Sequence, residues 1–185
     1  MKKKKILILT SIILILITIT GIGFFIWQKK NENKPETIFQ NEEIVNKIVY
    51  SNEGEENFDG IIGYLTIESI NLLQAPIKEG TEMETLNEYI GHFVDSNFLE
   101  GNVALAGHNR GYTKNYFENL KNLKGNELIV YQTKQETKTY RVTEIKEVSV
   151  TDVEVVAPTE DNRITLVTCV ENNNNLRLII IGKEI

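Results

Sequence analysis

From residue 59 onward the sequence predicts a mainly β domain, closed or nearly closed into a barrel, with only short helices. Three observations carry this. Seven short segments are rich in Val, Ile, Thr and Tyr, the residues that favour a pleated, half-buried surface. Turn residues separate them. Only two stretches carry a helical period. Many short strands with few helices is the pattern of a closed antiparallel sheet.

In chain order, GYLTIE (63–68) sets Leu65 and Ile67 against polar neighbours. NVALA (102–106), ELIVYQ (127–132), TKTYRVTEI (137–145), VSVTDVEVV (148–156), ITLVT (164–168) and LRLIII (176–181) follow as strands. Gly101-Asn102, Gly125-Asn126, Pro158 and the run Asn172 to Asn175 punctuate them. Thr81-Glu82-Met83-Glu84 reads as a capping box, after which Met83, Leu86 and Ile90 share one helical face and Gly91 supplies the stop. A second short helix is expected over 116–123, with Phe117 and Leu120 inward and Gly125 at its end.

The segment ahead of this domain is of another kind. Residues 6–27 hold no charge and are almost wholly apolar, after Lys2, Lys3, Lys4 and Lys5. At about 1.5 Å per residue they reach roughly 33 Å, enough for a bilayer core of ~30 Å. The sequence therefore predicts a cytoplasmic basic segment at 1–5 and a single transmembrane anchor at 6–27, with all that follows outside the cell. The apolar run is longer than a signal-peptide core, and Phe24, Phe25, Ile26 and Trp27 stand where small residues would mark cleavage. Residues 28–58 are rich in Asn, Glu and Lys and read as an extracellular linker, with one short helix near Ile44, Val45, Ile48 and Val49. Residues 59–185 form the remaining domain.

Composition narrows the function classes. The 185-residue chain carries a formal net charge of −6, which argues against a general nucleic-acid binder. Its one cysteine, Cys169, excludes both an intramolecular disulfide and a CxxC zinc site. Cys169 follows an apolar strand and precedes a polar loop, 170–175, after which Arg177 sits inside a second apolar strand. If the two strands pair as a hairpin, both residues lie at the same end of the sheet, within reach of a guanidinium. An arginine in an apolar strand is costly unless paired or usefully exposed. A free thiol with a pKa of about 8.5 is a weak nucleophile at neutral pH; a nearby cation raises its thiolate fraction and can stabilise an oxyanion. Of the two histidines, His108 in LAGHNRG stands at a strand-to-loop junction between glycines and is the candidate proton carrier, whereas His92 in GHF reads as structural.

Together these residues resemble the sortases, the membrane-anchored cysteine transpeptidases of Gram-positive bacteria. TLVTC (165–169) with Arg177 is similar to the family's cysteine signature, and LAGHNRG to the segment of its histidine. IGYLTIESINLLQAPIKEG (62–80), GHF (91–93), YFENLKNLKGNELIVY (116–131) and PTEDNRITLVTC (158–169) extend the likeness over about 60–185. The resemblance implies an eight-stranded sortase β-barrel. It implies that Cys169 forms a thioester with the threonine carbonyl of an LPxTG-like sorting signal on a surface protein. His108 would protonate the departing amine, and Arg177 would hold substrate and oxyanion. The acceptor would be an amine of a peptidoglycan precursor. No cofactor is expected and no metal site is assigned, although some class A members bind calcium through acidic loops. The loop 146–163 is expected to wall part of the groove that reads the sorting motif.

No Asp occurs before Asp59 and no second apolar span follows, which disfavours a pilin-polymerising sortase with its DP-aromatic lid. The short step from His108 to Cys169 disfavours class B and leaves the compact class A or class D type. Other readings are an L,D-transpeptidase-like cell-wall enzyme, whose HGxxxxxxxSxGC pattern is missing, and a tethered binding module without catalysis.

Overall fold

A computed structural model of the chain describes Phe58 and residues 60–185. The expected anchor at 6–27 and nearly all of the expected linker lie outside the described residues. Among the described residues, no helix is long and apolar enough to cross a membrane.

Eight strands form a closed barrel: β1 (Gly63–Ile67), β2 (Leu72–Glu79), β3 (Ile90–His92), β4 (Asn102–Ala106), β5 (Leu128–Thr133), β6 (Thr137–Ser149), β7 (Arg163–Val170) and β8 (Asn173–Glu184). Around the barrel the order is β1-β2-β3-β4-β7-β8-β6-β5. β2 with β3 and β4 with β7 are parallel; the other pairs are antiparallel. A parallel pair needs a crossover connection. The segment around the single-turn helix α1 (Met83–Leu86) carries the first crossover, and the β5–β6 hairpin lies within the second.

Alternating residues of the strands fill the interior. Leu65, Ile67, Ile77, Ile90, Val103, Leu105, Ile129, Tyr131, Tyr140, Ile164 and Leu166 are all fully buried in one cluster. Phe117 and Leu120 join it from the connection after β4, as the sequence predicts. Only a 3-10 turn, Leu120–Asn122, forms there in place of the expected helix.

The strands themselves differ from expectation in physically traceable ways. β2 was not expected. It contains Pro76, and its buried residues Leu72, Ala75 and Ile77 break the period of two where Gln74 takes a positive φ of 49°. Pro76 is tolerated because the ladder to β3 starts one residue later, at Ile77 with Ile90. β3 is three residues long, too short for a periodic signal. It takes Ile90 away from the expected helix, and α1 ends after one turn with Met83 exposed. Glu82, not Thr81, occupies the N-cap position and makes no side-chain cap. The expected strand over 148–156 is the end of β6 followed by a 3-10 turn, Val153–Val156. The expected loop over 170–175 shrinks to a tight turn, with Val170 opposite Asn173 and Asn172 at a φ of 61°.

Candidate active site

Three neighbouring strands set the site. In β7, Ile164 and Leu166 point into the barrel, so Thr165, Val167 and Cys169 lie on the outer face. Cys169 pairs directly with Arg177 across the β7–β8 hairpin, so both stand on that face. On the other side, β4 runs parallel to β7 with Ala104 opposite Thr165 and Ala106 opposite Val167. Val103 and Leu105 of β4 face the interior, so its alanines face outward. Continuing this register by two residues sets His108 level with Cys169. His108, Cys169 and Arg177 thus form a row across adjacent chain segments, on strands that lie about 4.8 Å apart.

One backbone and two side-chain hydrogen bonds extend the β4–β7 pairing past the last ladder residue. The Gly107 N–H donates to the Val167 carbonyl at 3.2 Å. Thr168 Oγ1 donates to the Gly107 carbonyl at 2.7 Å. Asn109 Nδ2 donates to the Cys169 carbonyl at 2.6 Å. These bonds bracket His108 and fix its backbone beside the cysteine. Gly107 is required there: a Cβ would sit 2.9 Å from the Phe117 ring, which packs beneath the turn. The Phe117 N–H returns to the His108 carbonyl at 3.0 Å.

His108 is half-buried, and burial pushes its pKa below the ordinary value, which favours the neutral ring. Its Nε2 is sealed from solvent without a hydrogen-bond partner. Cys169 is a free, half-buried thiol. Arg177 Nη1 donates to the carbonyls of Asn174 at 3.0 Å and Leu176 at 2.8 Å, which anchors the guanidinium on the β7–β8 turn. A cavity of about 530 Å³ opens beside the cysteine, lined by Cys169, Thr168, Phe117 and Leu178 and by Asn109, Glu118 and Glu147. At its rim Glu171 pairs with Arg110 at 3.7 Å and with Lys121 at 3.2 Å. His108 and Arg177 flank this cavity without lining it.

His92 sits apart from this row. It is 2% exposed, with Nδ1 2.9 Å from Glu79 Oε1 and Nε2 3.0 Å from the Asn97 carbonyl. Ser96 Oγ, 3.1 Å from Nε2, donates to the Phe93 carbonyl and accepts from the Ala104 N–H. Both ring nitrogens of His92 are engaged in tying β2, β3 and the β3–β4 loop together. Among the described residues, no three His, Cys, Asp or Glu side chains converge as a metal site.

Sequence reasoning passed over Asn102. It is 1% exposed on the outer face of β4. Its Nδ2 donates to the carbonyls of Val155 at 3.1 Å and Ala157 at 2.9 Å, and its Oδ1 accepts from Thr165 Oγ1 at 2.7 Å. One amide therefore pins the β6–β7 connection onto the β4–β7 face that leads to Cys169. The first four residues of the expected groove wall, 146–149, belong to β6 instead. A polar residue opening the otherwise apolar segment NVALA was the available signal for Asn102. Asn109 carried no local signal, because its partner, the Cys169 carbonyl, lies 60 residues away in the chain.

Comparison with known proteins agrees with this geometry. The family model described as "Sortase domain" matches residues 65–185. Sortase A of Bacillus anthracis is 30% identical over 159 residues, covering 84% of this chain and 75% of that protein. Sortase A of Staphylococcus aureus is 29% identical over 117 residues, covering 61% of this chain and 57% of its own length. Among solved structures, a pilus-related Sortase C of Group B Streptococcus superposes with a TM-score of 0.64 at 26% identity, covering 69% of this chain and 68% of that one. Sortase A of Corynebacterium diphtheriae, a lid mutant, gives 0.63 at 27% identity, covering 68% and 70%. With a family model that spans most of the chain and a barrel that carries a cysteine and a histidine on adjacent segments, the chain belongs to the sortase family of cysteine transpeptidases.

Proposed function

We propose that this protein is a membrane-anchored transpeptidase that cleaves an LPxTG-like sorting signal and transfers the surface protein to an amine of a peptidoglycan precursor. The observation that carries the reading is the row of His108, Cys169 and Arg177 across β4, β7 and β8. The Cys169 thiol gives its proton to His108 as the sulfur attacks the threonine carbonyl carbon, and the carbonyl electrons move onto oxygen. Arg177 Nε and Nη2 take no part in the two turn bonds and are the donors for that oxyanion. As the tetrahedral intermediate collapses, the C–N bond breaks and His108 gives its proton to the departing amine. A thioester remains on Cys169. The acceptor amine then attacks it, His108 takes up the amine's proton, and the thiolate leaves.

The anchor at 6–27 and the linker would keep this chemistry at the outer membrane face, where substrate protein and lipid-linked acceptor meet. The Sortase A relatives support the compact class A or class D reading, while pilus-related Sortase C structures share the same barrel. Mass spectrometry of the chain after incubation with a labelled LPxTG peptide tests the proposal. The wild type is expected to carry an acyl adduct on Cys169, and Cys169→Ala to carry none and cleave nothing. Cleavage by Cys169→Ala overturns the assignment of the nucleophile.

A further inference from the structure

The segment that follows His108 folds back onto it. Gly111 takes a φ of +79°, the left-handed region in which a side chain is strained. Asn115 then brackets the next residue: its Oδ1 accepts from the Tyr112 N–H at 3.3 Å, and its Nδ2 donates to the Tyr112 carbonyl at 2.7 Å. The Tyr112 ring is thereby laid flat on the His108 imidazole, with centroids 3.6 Å apart and planes 8° from parallel. Tyr112 is 43% exposed, so core burial does not account for its placement.

The geometry of the pair is informative. Two neutral aromatic rings prefer an offset or edge-on arrangement to a centred face-to-face stack. A cation centred over a π face is favourable. The stack therefore gains when the imidazole is protonated, the state that delivers a proton to a leaving amine. Three of the neighbouring cations are engaged elsewhere, and the carboxylates Glu118 and Glu147 line the cavity beside Cys169. Arg110 and Lys121 pair with Glu171, and Arg177 bonds the turn carbonyls. Among the described residues, Tyr112 is the aromatic ring held against the imidazole face.

We propose that Tyr112 is a positioning residue for acyl transfer: its ring fixes the plane of His108 and supports the imidazolium that protonates the departing amine. The proposal rests on the reading of His108 given above. It separates the π face of Tyr112 from simple apolar cover, because leucine keeps the cover and loses the face.

The test compares the full-length wild type with Tyr112→Phe and Tyr112→Leu in detergent micelles. Histidine-selective isotope labelling leaves only two imidazoles to assign. In the resting chain the His108 ring protons are expected upfield in the wild type and in Tyr112→Phe, from the ring current of the stacked partner, and near ordinary positions in Tyr112→Leu. With a labelled LPxTG peptide, Tyr112→Leu is expected to lose about tenfold in kcat with KM unchanged, and Tyr112→Phe to retain most of the wild-type rate. Wild-type kcat in Tyr112→Leu, equal impairment of both variants, or the absence of the upfield shift in the wild type overturns the proposal. The shift is read without substrate. A wild type that shows it yet turns over no peptide supports the stack while overturning the functional reading.

Discussion

Removing the Asn102 amide tests whether one buried side chain holds the β6–β7 connection on the barrel. Asn102→Ala leaves three groups to find new partners. The carbonyls of Val155 and Ala157 lie on a half-buried to exposed segment and can turn to water. The Thr165 hydroxyl cannot, because Thr165 is 0% exposed and its bond to Asn102 is 2.7 Å long. An orphaned buried hydroxyl costs about 1–3 kcal/mol, and the vacated amide volume adds to that. The sum is about 2–4 kcal/mol, or a fall of roughly 10 °C in Tm for a domain of this size. Thermal unfolding followed by near-UV circular dichroism measures it, and limited proteolysis should show faster cutting within 150–160. Thr165→Val supplies the control, since it deletes the hydroxyl that Asn102→Ala orphans. The double variant is expected to be less destabilised than the sum of the singles, by about 1 kcal/mol or more. A Tm loss below about 3 °C in Asn102→Ala, or strict additivity in the cycle, would refute the reasoning.

Three further outcomes follow from the site and the core. Arg177→Lys should lower kcat/KM for an LPxTG peptide by about tenfold or more, since an ammonium cannot hold both turn carbonyls and still present a planar pair of donors; steady-state kinetics check it. Burial holds His108 below its ordinary value of about 6.5, so the unfolded chain binds that proton first, and stability falls as pH drops through that value toward the folded one. His108→Gln should therefore lose less Tm than the wild type between pH 7.5 and pH 5.5, a comparison calorimetry makes directly. Tyr131 carries a buried hydroxyl without a partner, and burial raises its pKa far above the usual phenol range. Tyr131→Phe should leave stability unchanged or raise it by about 1 kcal/mol, while the edge-to-face contact with Phe98 is kept; chemical denaturation reads the difference.

The strands legible in the sequence are those rich in Val, Ile, Leu, Thr and Tyr between turn residues. β1, β4, β5 and β7 each place a run of apolar residues on one face, and each forms where the pattern predicts. The pattern fails where tertiary pairing overrides it. β2 bends at Gln74 and passes Pro76, and β3 exists only because β2 and β4 offer it partners on both sides. The helical face drawn through Met83, Leu86 and Ile90 dissolves for the same reason. Ile90 gains more as a ladder residue sealed in the barrel than on a short amphipathic turn.

The candidate site divides along the same line. Residue chemistry alone marks Cys169, His108 and Arg177, since a lone thiol, a histidine between glycines and a charge within an apolar strand each need a reason to exist. The hairpin pairing of Cys169 with Arg177 follows from their short separation in the chain. That His108 falls into the same row is decided by the parallel β4–β7 ladder, which joins residues 61 positions apart and leaves no trace in local periodicity. The supporting contacts of Asn102 and Asn109 are likewise products of closure, because each side chain meets its partner only after the sheet has wrapped into a barrel. Sequence determines which groups are available for chemistry and which faces are apolar; the long-range register, set by how the whole sheet closes, decides which of those groups stand together.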